Sequence, residues 1–278
     1  MRSGLSTADA GRIAEAAYAK QPRILNDPRQ SDSAWQVDVM LPAGRVRSSR
    51  GCVELRPRLS PNPRLAYQTA TYYAGAHPPL AASMVRMAGK LSALQRPSGQ
   101  GAAAESCGPV VVWDPFCGTA MELIESALFN GNDCSRLGGL SLVGTDLDEA
   151  ALAVAQTNVE AAKSSSSDAL RATHASFHEI DFREASKLTE LPRGGVSLII
   201  TNPPLGQRVK WREEPHSLFA SLFALASELL HPGGKLVFIN PLRVAPRDGV
   251  ATLRLDARST VDLGLRRGCS VEVWRKLG

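Results

Sequence analysis

The feature that most constrains this chain is a regular alternation of short apolar runs and longer helix-like segments. Five strands rich in Val, Ile, Leu and Phe are expected, at residues 110–113, 140–144, 177–182, 196–201 and 235–240. Strands that alternate with helices through short loops pair in parallel, by right-handed crossovers. The sequence therefore predicts an α/β fold with an open, doubly wound, mostly parallel sheet.

The segments around these strands complete the pattern. Three helices are expected between them, the second with Asp148 as its N-cap: residues 121–129 ending at Gly131, residues 149–162, and residues 217–230 ending at 231–234. A further helix is expected from His77-Pro78-Pro79 to Gly89. At the C terminus, residues 261–265 and 270–274 predict a hairpin, which would add antiparallel strands at one side of the sheet.

The N-terminal third differs in charge from the rest of the chain. Residues 1–100 contain 14 Lys and Arg against 6 Asp and Glu, whereas residues 101–278 contain 18 against 21. Residues 36–41 and 51–56 alternate as a small β-rich unit would. The sequence thus predicts a basic N-terminal region, residues 1–76, followed by a larger domain, residues 77–278, with a linker or surface loop at 93–108.

Arginine and aromatic side chains are interleaved in the basic region. This composition suits contact with RNA phosphates and stacking on bases, although a strand pair with a charged outer face explains it equally well. The residues concerned are Arg45, Arg47, Arg50, Arg56, Arg58, Arg64, Trp35, Tyr67, Tyr72 and Tyr73.

Composition narrows the class of protein. With 44% hydrophobic residues the chain can bury one large core, and it contains no apolar run of 18 residues and no secretory signal pattern. A soluble cytoplasmic protein without membrane contact is expected. The nucleus and an organelle stay open as alternative compartments. Five scattered cysteines form no Cys-x-x-Cys pair and five histidines show no metal spacing, so reduced thiols and no metal site are expected.

Polar residues follow four of the predicted strands at the point where each strand ends. They are Asp114-Pro-Phe-Cys-Gly-Thr-Ala120, Gly144-Thr145-Asp146, Asp181-Phe182 and Asn202-Pro203-Pro204-Leu205. Ligands of open α/β sheets bind beyond the carboxyl ends of the strands. A carboxylate at Asp114 would repel a pyrophosphate but attract a cationic amino-acid group, so a ligand with an ammonium, a ribose and an adenine is favoured.

These motifs resemble the series found in the THUMP-associated guanine-N2 RNA methyltransferases, which modify tRNA or rRNA. The resemblance covers roughly residues 35–278, and residues 77–89 are similar to the helix that precedes the catalytic domain in that family. It implies a Rossmann-like class I methyltransferase fold and S-adenosylmethionine as cofactor. The chain is too short in front for a complete THUMP module, so RNA would dock on residues 1–76, on a partner protein, or on sequence lost from a truncated gene model.

The resemblance also implies roles for single residues. Asp114 would face the methionine amino group, in a pocket shaped by Gly118 and neighbouring residues of the loop. Asp146 would hold the ribose hydroxyls, and Asp181 would accept from the adenine amino group with Phe182 beside the ring. The remaining cofactor-binding positions would be Pro115, Cys117 and Thr119, and the catalytic loop would comprise Asn202, Pro203, Pro204 and Leu205.

The catalytic loop also has a physical rationale of its own. An exocyclic amine on a purine is a poor nucleophile, because its lone pair is delocalised into the ring. The Asn202 side-chain oxygen and a backbone carbonyl near Pro203 could accept both amine hydrogens and favour attack on a methyl group. Adenine N6 or a glutamine amide could be held in the same way.

Two residues depart from the family pattern. Ala120 stands where a second glycine is usual, which is tolerable if φ there stays negative. Leu205 replaces an aromatic residue that stacks on the flipped base, and such stacking is worth about 1–3 kcal/mol. A second hypothesis is therefore a catalytically weak RNA-binding scaffold subunit. Cys117 has no partner expected of a nucleophile and is interpreted as structural.

Overall fold

A computed structural model describes the chain in segments, which divide into two compact units, Met1–Pro63 and Arg64–Gly278. The described residues are 35–40, 52–57, 67–72, 75–94, 109–134, 139–165, 173–206, 214–246, 252–261, 263 and 268–278, with isolated positions between 12 and 20. Among them, no helix combines the length and apolar character needed to cross a bilayer.

The first unit contains one antiparallel strand pair. Strand β1 (Trp35–Met40) pairs with β2 (Cys52–Pro57), with Val37 opposite Leu55. The β-rich unit expected from alternation is thus confirmed. Arg45, Arg47, Arg50, Arg58 and Arg64 lie outside the described residues.

The second unit is built on a seven-stranded sheet in the order β5-β4-β3-β6-β7-β9-β8. Strands β3 to β7 are parallel, and β9 is antiparallel to both β7 and β8. This confirms the α/β, mostly parallel, Rossmann-like sheet with antiparallel C-terminal strands. The strands are β3 (Val110–Asp114), β4 (Leu140–Asp146), β5 (His174–Glu179), β6 (Val196–Thr201), β7 (Leu230–Asn240), β8 (Leu253–Val261) and β9 (Cys269–Lys276).

Helices cover both faces of this sheet. Helices α1 (Pro78–Ala88), α2 (Met121–Cys134) and α3 (Glu149–Ser165) pack on one face with Val110 and Val112 of β3. Helix α4 (Pro215–Leu229) packs on the other face, against Val111 and Trp113. Because side chains of a strand alternate between faces, β3 contributes to both hydrophobic layers and is fully buried.

Four predicted boundaries are wrong. Helix α2 continues past Gly131, since the buried Asn130 holds its last turns: Asn130 Oδ1 accepts from Leu91 N (2.9 Å) and Nδ2 donates to Ser126 O (2.7 Å). Strand β5 ends at Glu179, and Phe182 instead begins a short 3₁₀ helix (Phe182–Lys187). Residues 231–234 belong to β7, which begins at Leu230.

The fourth error concerns the last two strands. The strand expected at 261–265 is Leu253–Val261, which pairs with β9 only and lies at the sheet edge. Most of its side chains are exposed, so it lacks the apolar run by which the buried strands are recognised.

Candidate active site

The expected site residues follow four strands that are neighbours in the sheet. Asp114 ends β3, Asp146 ends β4, Asp181 follows β5 and Asn202 follows β6, in the strand order β5-β4-β3-β6. The chain order reverses between β3 and β6, which is where doubly wound sheets bind their ligands. The four residues therefore lie along one edge of a single sheet, as the sequence predicts.

Asp114 is completely buried and only partly satisfied. Its Oδ1 accepts from Phe116 N at 3.1 Å, while Oδ2 has no hydrogen-bond partner among the described residues. Burial raises the pKa of Asp114 well above its usual range, and the nearby Glu122 carboxylate raises it further. The Phe116 N–H and the nearby Thr201 hydroxyl, which does not form a hydrogen bond of normal geometry with Asp114, oppose this rise. A buried carboxylate oxygen without a donor is costly to the folded chain, and a cationic ligand would relieve that cost.

The loop after Asp114 is fastened to the neighbouring strand by backbone groups. Cys117 N donates to Thr145 O (3.0 Å), Gly118 N donates to Asp146 Oδ2 (2.9 Å), and Thr145 Oγ1 donates to Pro115 O (3.0 Å). Gly118 has φ +47°, and a Cβ added there would meet no atom within 4 Å. The glycine thus leaves open space beside the loop, as a site for a close-fitting ligand requires.

Ala120 contradicts the expectation of a negative φ. Its φ is +63°, in the left-handed region that usually takes glycine. The residue is buried at the start of α2, where Ala120 N donates to Cys117 O at 2.7 Å. A left-handed alanine costs about 1–2 kcal/mol, so the loop is held in this conformation by its surroundings.

Cys117 and Thr119 lie within the loop and are buried. The free thiol of Cys117 packs so closely that a Cβ at Gly144 would lie 2.8 Å from Sγ. Burial, followed by the charge of Asp114, raises the pKa of Cys117 well above its usual value, which disfavours a nucleophilic thiolate. Thr119 O accepts from Asn158 Nδ2 at 3.3 Å, while Thr119 Oγ1 is buried without a partner among the described residues.

Asp146 is held by three backbone N–H groups. It accepts from Gly118 (2.9 Å), Leu147 (2.8 Å) and Asp148 (3.2 Å). Burial nevertheless raises its pKa, and the three hydrogen bonds oppose that rise. A carboxylate fixed in this way keeps lone pairs for further donors, such as ribose hydroxyls.

Asp181 and Phe182 lie at the next strand end. Asp181 Oδ1 accepts from Arg183 N at 2.9 Å, and Oδ2 pairs with Arg183 Nη1 at 3.0 Å. The Phe182 ring is buried. Its centroid lies 4.8 Å from the Phe116 ring centroid and 4.7 Å from the Arg183 guanidinium carbon. Arg183, which the sequence did not single out, therefore orients both residues.

The Asn202 loop leaves β6 directly beside Asp114. Asn202 Oδ1 is buried and has no hydrogen-bond partner among the described residues. Pro203 is buried, Pro204 is half-buried, and Leu205 packs partly buried against the hydrophobic layer that contains Cys117. An unpartnered amide oxygen on a stiff loop is an acceptor in place before any donor arrives.

Two further acids, on α2, lie close to this site and were not predicted from the sequence. Glu122 and Glu125 are both almost fully buried, and Glu122 Oε1 has no partner among the described residues. Burial raises the pKa of Glu122 to about 7. The sequence contains a signal for them, because two acids three positions apart within an otherwise apolar helical stretch indicate acids on a buried helix face.

The segment before α1 contacts these helices. The Tyr67 hydroxyl donates to Glu125, Ala70 N donates to Asn158 Oδ1 at 3.0 Å, and the Tyr72 hydroxyl donates to Asp148. The stacking role expected of Tyr67 is wrong, because its side chain is 6% exposed and engaged with Glu125. Asp148 also accepts from Ala150 N and Ala151 N, which confirms it as the N-cap of α3.

Sheet order, the acidic strand ends and the glycine loop define the class: a Rossmann-like methyltransferase domain. Residues 104–249, more than half of the chain, match the family model described as UPF0020: RMKL-like, methyltransferase domain. The chain belongs to this family, and S-adenosylmethionine is its cofactor, as the sequence predicts. No curated protein matches the chain in sequence.

Several solved structures are similar to this chain. The rRNA methyltransferase aviRa from Streptomyces viridochromogenes shares 19% identity, covering 75% of this chain and 89% of its own, with a TM-score of 0.47. An RNA methyltransferase from Salinibacter ruber in complex with S-adenosyl-L-homocysteine shares 17%, covering 72% and 91%, with a TM-score of 0.42. A predicted N6-adenine-specific DNA methylase from Listeria monocytogenes shares 16%, covering 74% and 53%, with a TM-score of 0.48.

Proposed function

We propose that this protein methylates an exocyclic amino group of an RNA base, with guanine N2 as the target. The proposal is carried by two buried oxygens on adjacent strands, Asn202 Oδ1 and Asp114 Oδ2, neither of which has a hydrogen-bond partner in the part of the chain that the structure describes. The Asn202 oxygen would accept from a neutral amine, and the Asp114 oxygen would face a cation. The carboxylate would help to bind the methyl donor, and the amide oxygen would help to orient and activate the amine.

The cofactor end of the site fits S-adenosylmethionine. Asp114 would hold the ammonium of the methionine moiety, Gly118 leaves room beside the loop, and Asp146 would accept from the ribose hydroxyls. When bound, the cofactor supplies an electrophilic methyl group. Asp181 and Phe182 would border the adenine, in an arrangement that Arg183 fixes.

The Asn202 loop would bind the amino group that is methylated. Asn202 Oδ1 would accept a hydrogen bond from one N–H of the amine and a backbone carbonyl beside Pro203 from the other, so that the nitrogen lone pair is withdrawn from the ring. Formation of the N–C bond would break the S–C bond of the methyl donor, release S-adenosylhomocysteine and pass one amine proton to water. Two prolines stiffen the loop, and acceptors that need no rearrangement act most strongly on the transition state. The base must leave its stack to reach them. The arginine-rich segment around Arg45, Arg47 and Arg50 would contact RNA phosphates.

The test is methyl transfer from isotope-labelled S-adenosylmethionine to total tRNA and rRNA, read by nucleoside mass spectrometry. N2-methylguanosine is the expected product, whereas N6-methyladenosine would move the target to adenine. Asn202→Ala should lower kcat by about 10²–10³-fold, the cost of one transition-state hydrogen bond in a dry site. Asn202→Asp keeps an acceptor and serves as the matched control, with a smaller loss. Unchanged affinity for S-adenosylhomocysteine in both variants would separate chemistry from folding.

A catalytically weak RNA-binding subunit is the second candidate. Leu205, in place of a stacking aromatic ring, favours it, because the flipped base would be held less firmly. RNA binding without methyl transfer to any RNA, and an Asn202→Ala variant indistinguishable from the parent, would establish this candidate instead.

A further inference from the structure

Two non-glycine residues in the described part of the chain have positive φ, and both lie at the ligand-binding edge of the sheet. One is Ala120 in the loop of residues 114–120, named the cofactor loop here after its proposed role. The other is Arg243, with φ +54°, in the turn after β7. A left-handed conformation in a residue with a side chain is unfavourable and persists where the surroundings impose it. Ala120 belongs to the site already described, and Arg243 does not.

The turn that contains Arg243 is held by Asn240 at the end of β7. Asn240 Oδ1 accepts from Val244 N (3.1 Å) and Leu242 N (3.3 Å), and its Nδ2 donates to Val244 O (2.8 Å). Leu242 and Val244 pack against the hydrophobic layer of α4. The flanking residues thus point inward, and the fixed residue between them, Arg243, is exposed.

A buried carboxylate holds Asn240 in turn. Glu272 in β9 is completely buried and accepts from Asn240 Nδ2 (3.0 Å), Trp274 Nε1 (2.9 Å), Ser270 Oγ (3.0 Å) and Arg258 Nε (2.8 Å). Four donors satisfy this charge, so the network is rigid and complete without a ligand. The strained turn is therefore built into the sheet.

The turn lies next to the proposed catalytic loop. Strands β6 and β7 are parallel, with Thr201 opposite Phe238, so Asn202 and Arg243 leave the same edge of the sheet on adjacent strands. Adjacent strands are about 4.8 Å apart, which is within the reach of an arginine side chain. The Arg243 guanidinium has no hydrogen-bond or ion-pair partner among the described residues.

We infer that Arg243 binds a backbone phosphate of the nucleic-acid substrate beside the nucleotide held by the Asn202 loop; this inference rests on the proposed RNA target. A guanidinium offers paired donors that match two phosphate oxygens. Phosphate contacts fix the register of a nucleic acid on a protein without reading its sequence. The unfavourable φ of Arg243 is then the cost of fixing the backbone position from which its side chain extends to the phosphate.

The test compares three variants in binding a fluorescein-labelled, unstructured 15-nucleotide RNA, measured by fluorescence anisotropy with saturating S-adenosylhomocysteine. Arg243→Gln should weaken binding about 5- to 10-fold and reduce the salt slope by about 0.7, the value for one lost contact to a single strand. Arg193→Gln is the matched control. This exposed arginine precedes β6, at the opposite edge of the sheet, and should leave RNA affinity within about twofold of the parent.

Arg243→Gly separates a binding role from a structural one. Glycine relieves the positive φ, so Tm should rise by about 2 °C while RNA affinity falls as in Arg243→Gln. Parental affinity in both Arg243 variants would overturn the inference and leave the proposed function intact. A parent that binds S-adenosylhomocysteine but no RNA would overturn both the RNA target and the inference. RNA binding without cofactor binding would contradict the proposed methyl transfer alone.

Discussion

Buried carboxylates are hydrogen-bonded to different extents in two parts of the seven-stranded sheet, around the loop after β3 and around the turn after β7. Asp114 and Glu122, beside the cofactor loop, each keep one oxygen without a partner among the described residues. Glu272, behind the Asn240 turn, accepts from four donors. An unpaired buried acid lowers the stability of the free protein, and a cation relieves that cost. A buried acid whose oxygens all accept hydrogen bonds avoids the cost and fixes the groups around it. The first arrangement is typical of a binding site, and the second of the scaffold that supports one.

The largest effect is expected for Asp114→Asn. Loss of the carboxylate should weaken S-adenosylhomocysteine binding about 100-fold, or about 3 kcal/mol, because a charged hydrogen bond to the ammonium is lost. Binding of 5′-methylthioadenosine, which lacks the amino-acid moiety, should change little. Calorimetric titration measures both. Equal losses for the two ligands would place Asp114 elsewhere than at the ammonium.

Glu272→Gln should act on stability in the opposite sense to Asp114→Asn. Each Glu272 oxygen accepts from two donors, so the glutamine NH2 group would leave two donors without an acceptor and Arg258 without its anion. We expect the free energy of unfolding to fall by about 2 kcal/mol. Asp114→Asn should instead raise the stability of the ligand-free protein, because it removes a buried, unpaired acid. Urea unfolding of the two variants beside the parent provides the measurement, and a shared sign would contradict the comparison.

The smallest effect is a dependence on pH. Burial raises the pKa of Glu122 from 4.5 to about 7, so the folded state favours the protonated acid. The stability from this group is fully present below pH 4.5 and is lost as the pH rises through about 7. Glu122→Gln mimics the protonated form. Its stability relative to the parent should therefore increase by roughly 1 kcal/mol from pH 6 to pH 8. Urea unfolding without ligand at both pH values tests this, and a constant difference would contradict the raised pKa.

The sequence predicts those features of the fold that depend on local patterns along the chain, such as buried strands and the residues that follow them. The apolar runs located strands β3, β4 and β6 and the C-terminal part of β7, whereas the less apolar β5 begins before its predicted position. Parallel pairing then placed Asp114, Asp146, Asp181 and Asn202 at one edge. Edge strand β8 escaped prediction because its exposed side chains carry no apolar run.

Contacts between distant segments could not be predicted in this way. Glu272 meets Asn240 across 32 positions, through an antiparallel pairing that no local pattern specifies. Ala120 adopts a positive φ because the hydrogen bond that its N donates to Cys117 O and the packing of α2 outweigh its own preference. Composition suggested tyrosines for stacking on RNA, whereas Tyr67 is buried against Glu125.

The attachment of Tyr67, Ala70 and Tyr72 to helices α2 and α3 and to Asp148 has a practical consequence for truncation. A recombinant fragment that starts at His77, immediately before the first helix of the domain, would strip the donors from Glu125 and Asn158. The smallest fragment worth expressing therefore begins before Tyr67, because Asn158, which accepts from Ala70 N, also donates to Thr119 O in the loop of residues 114–120.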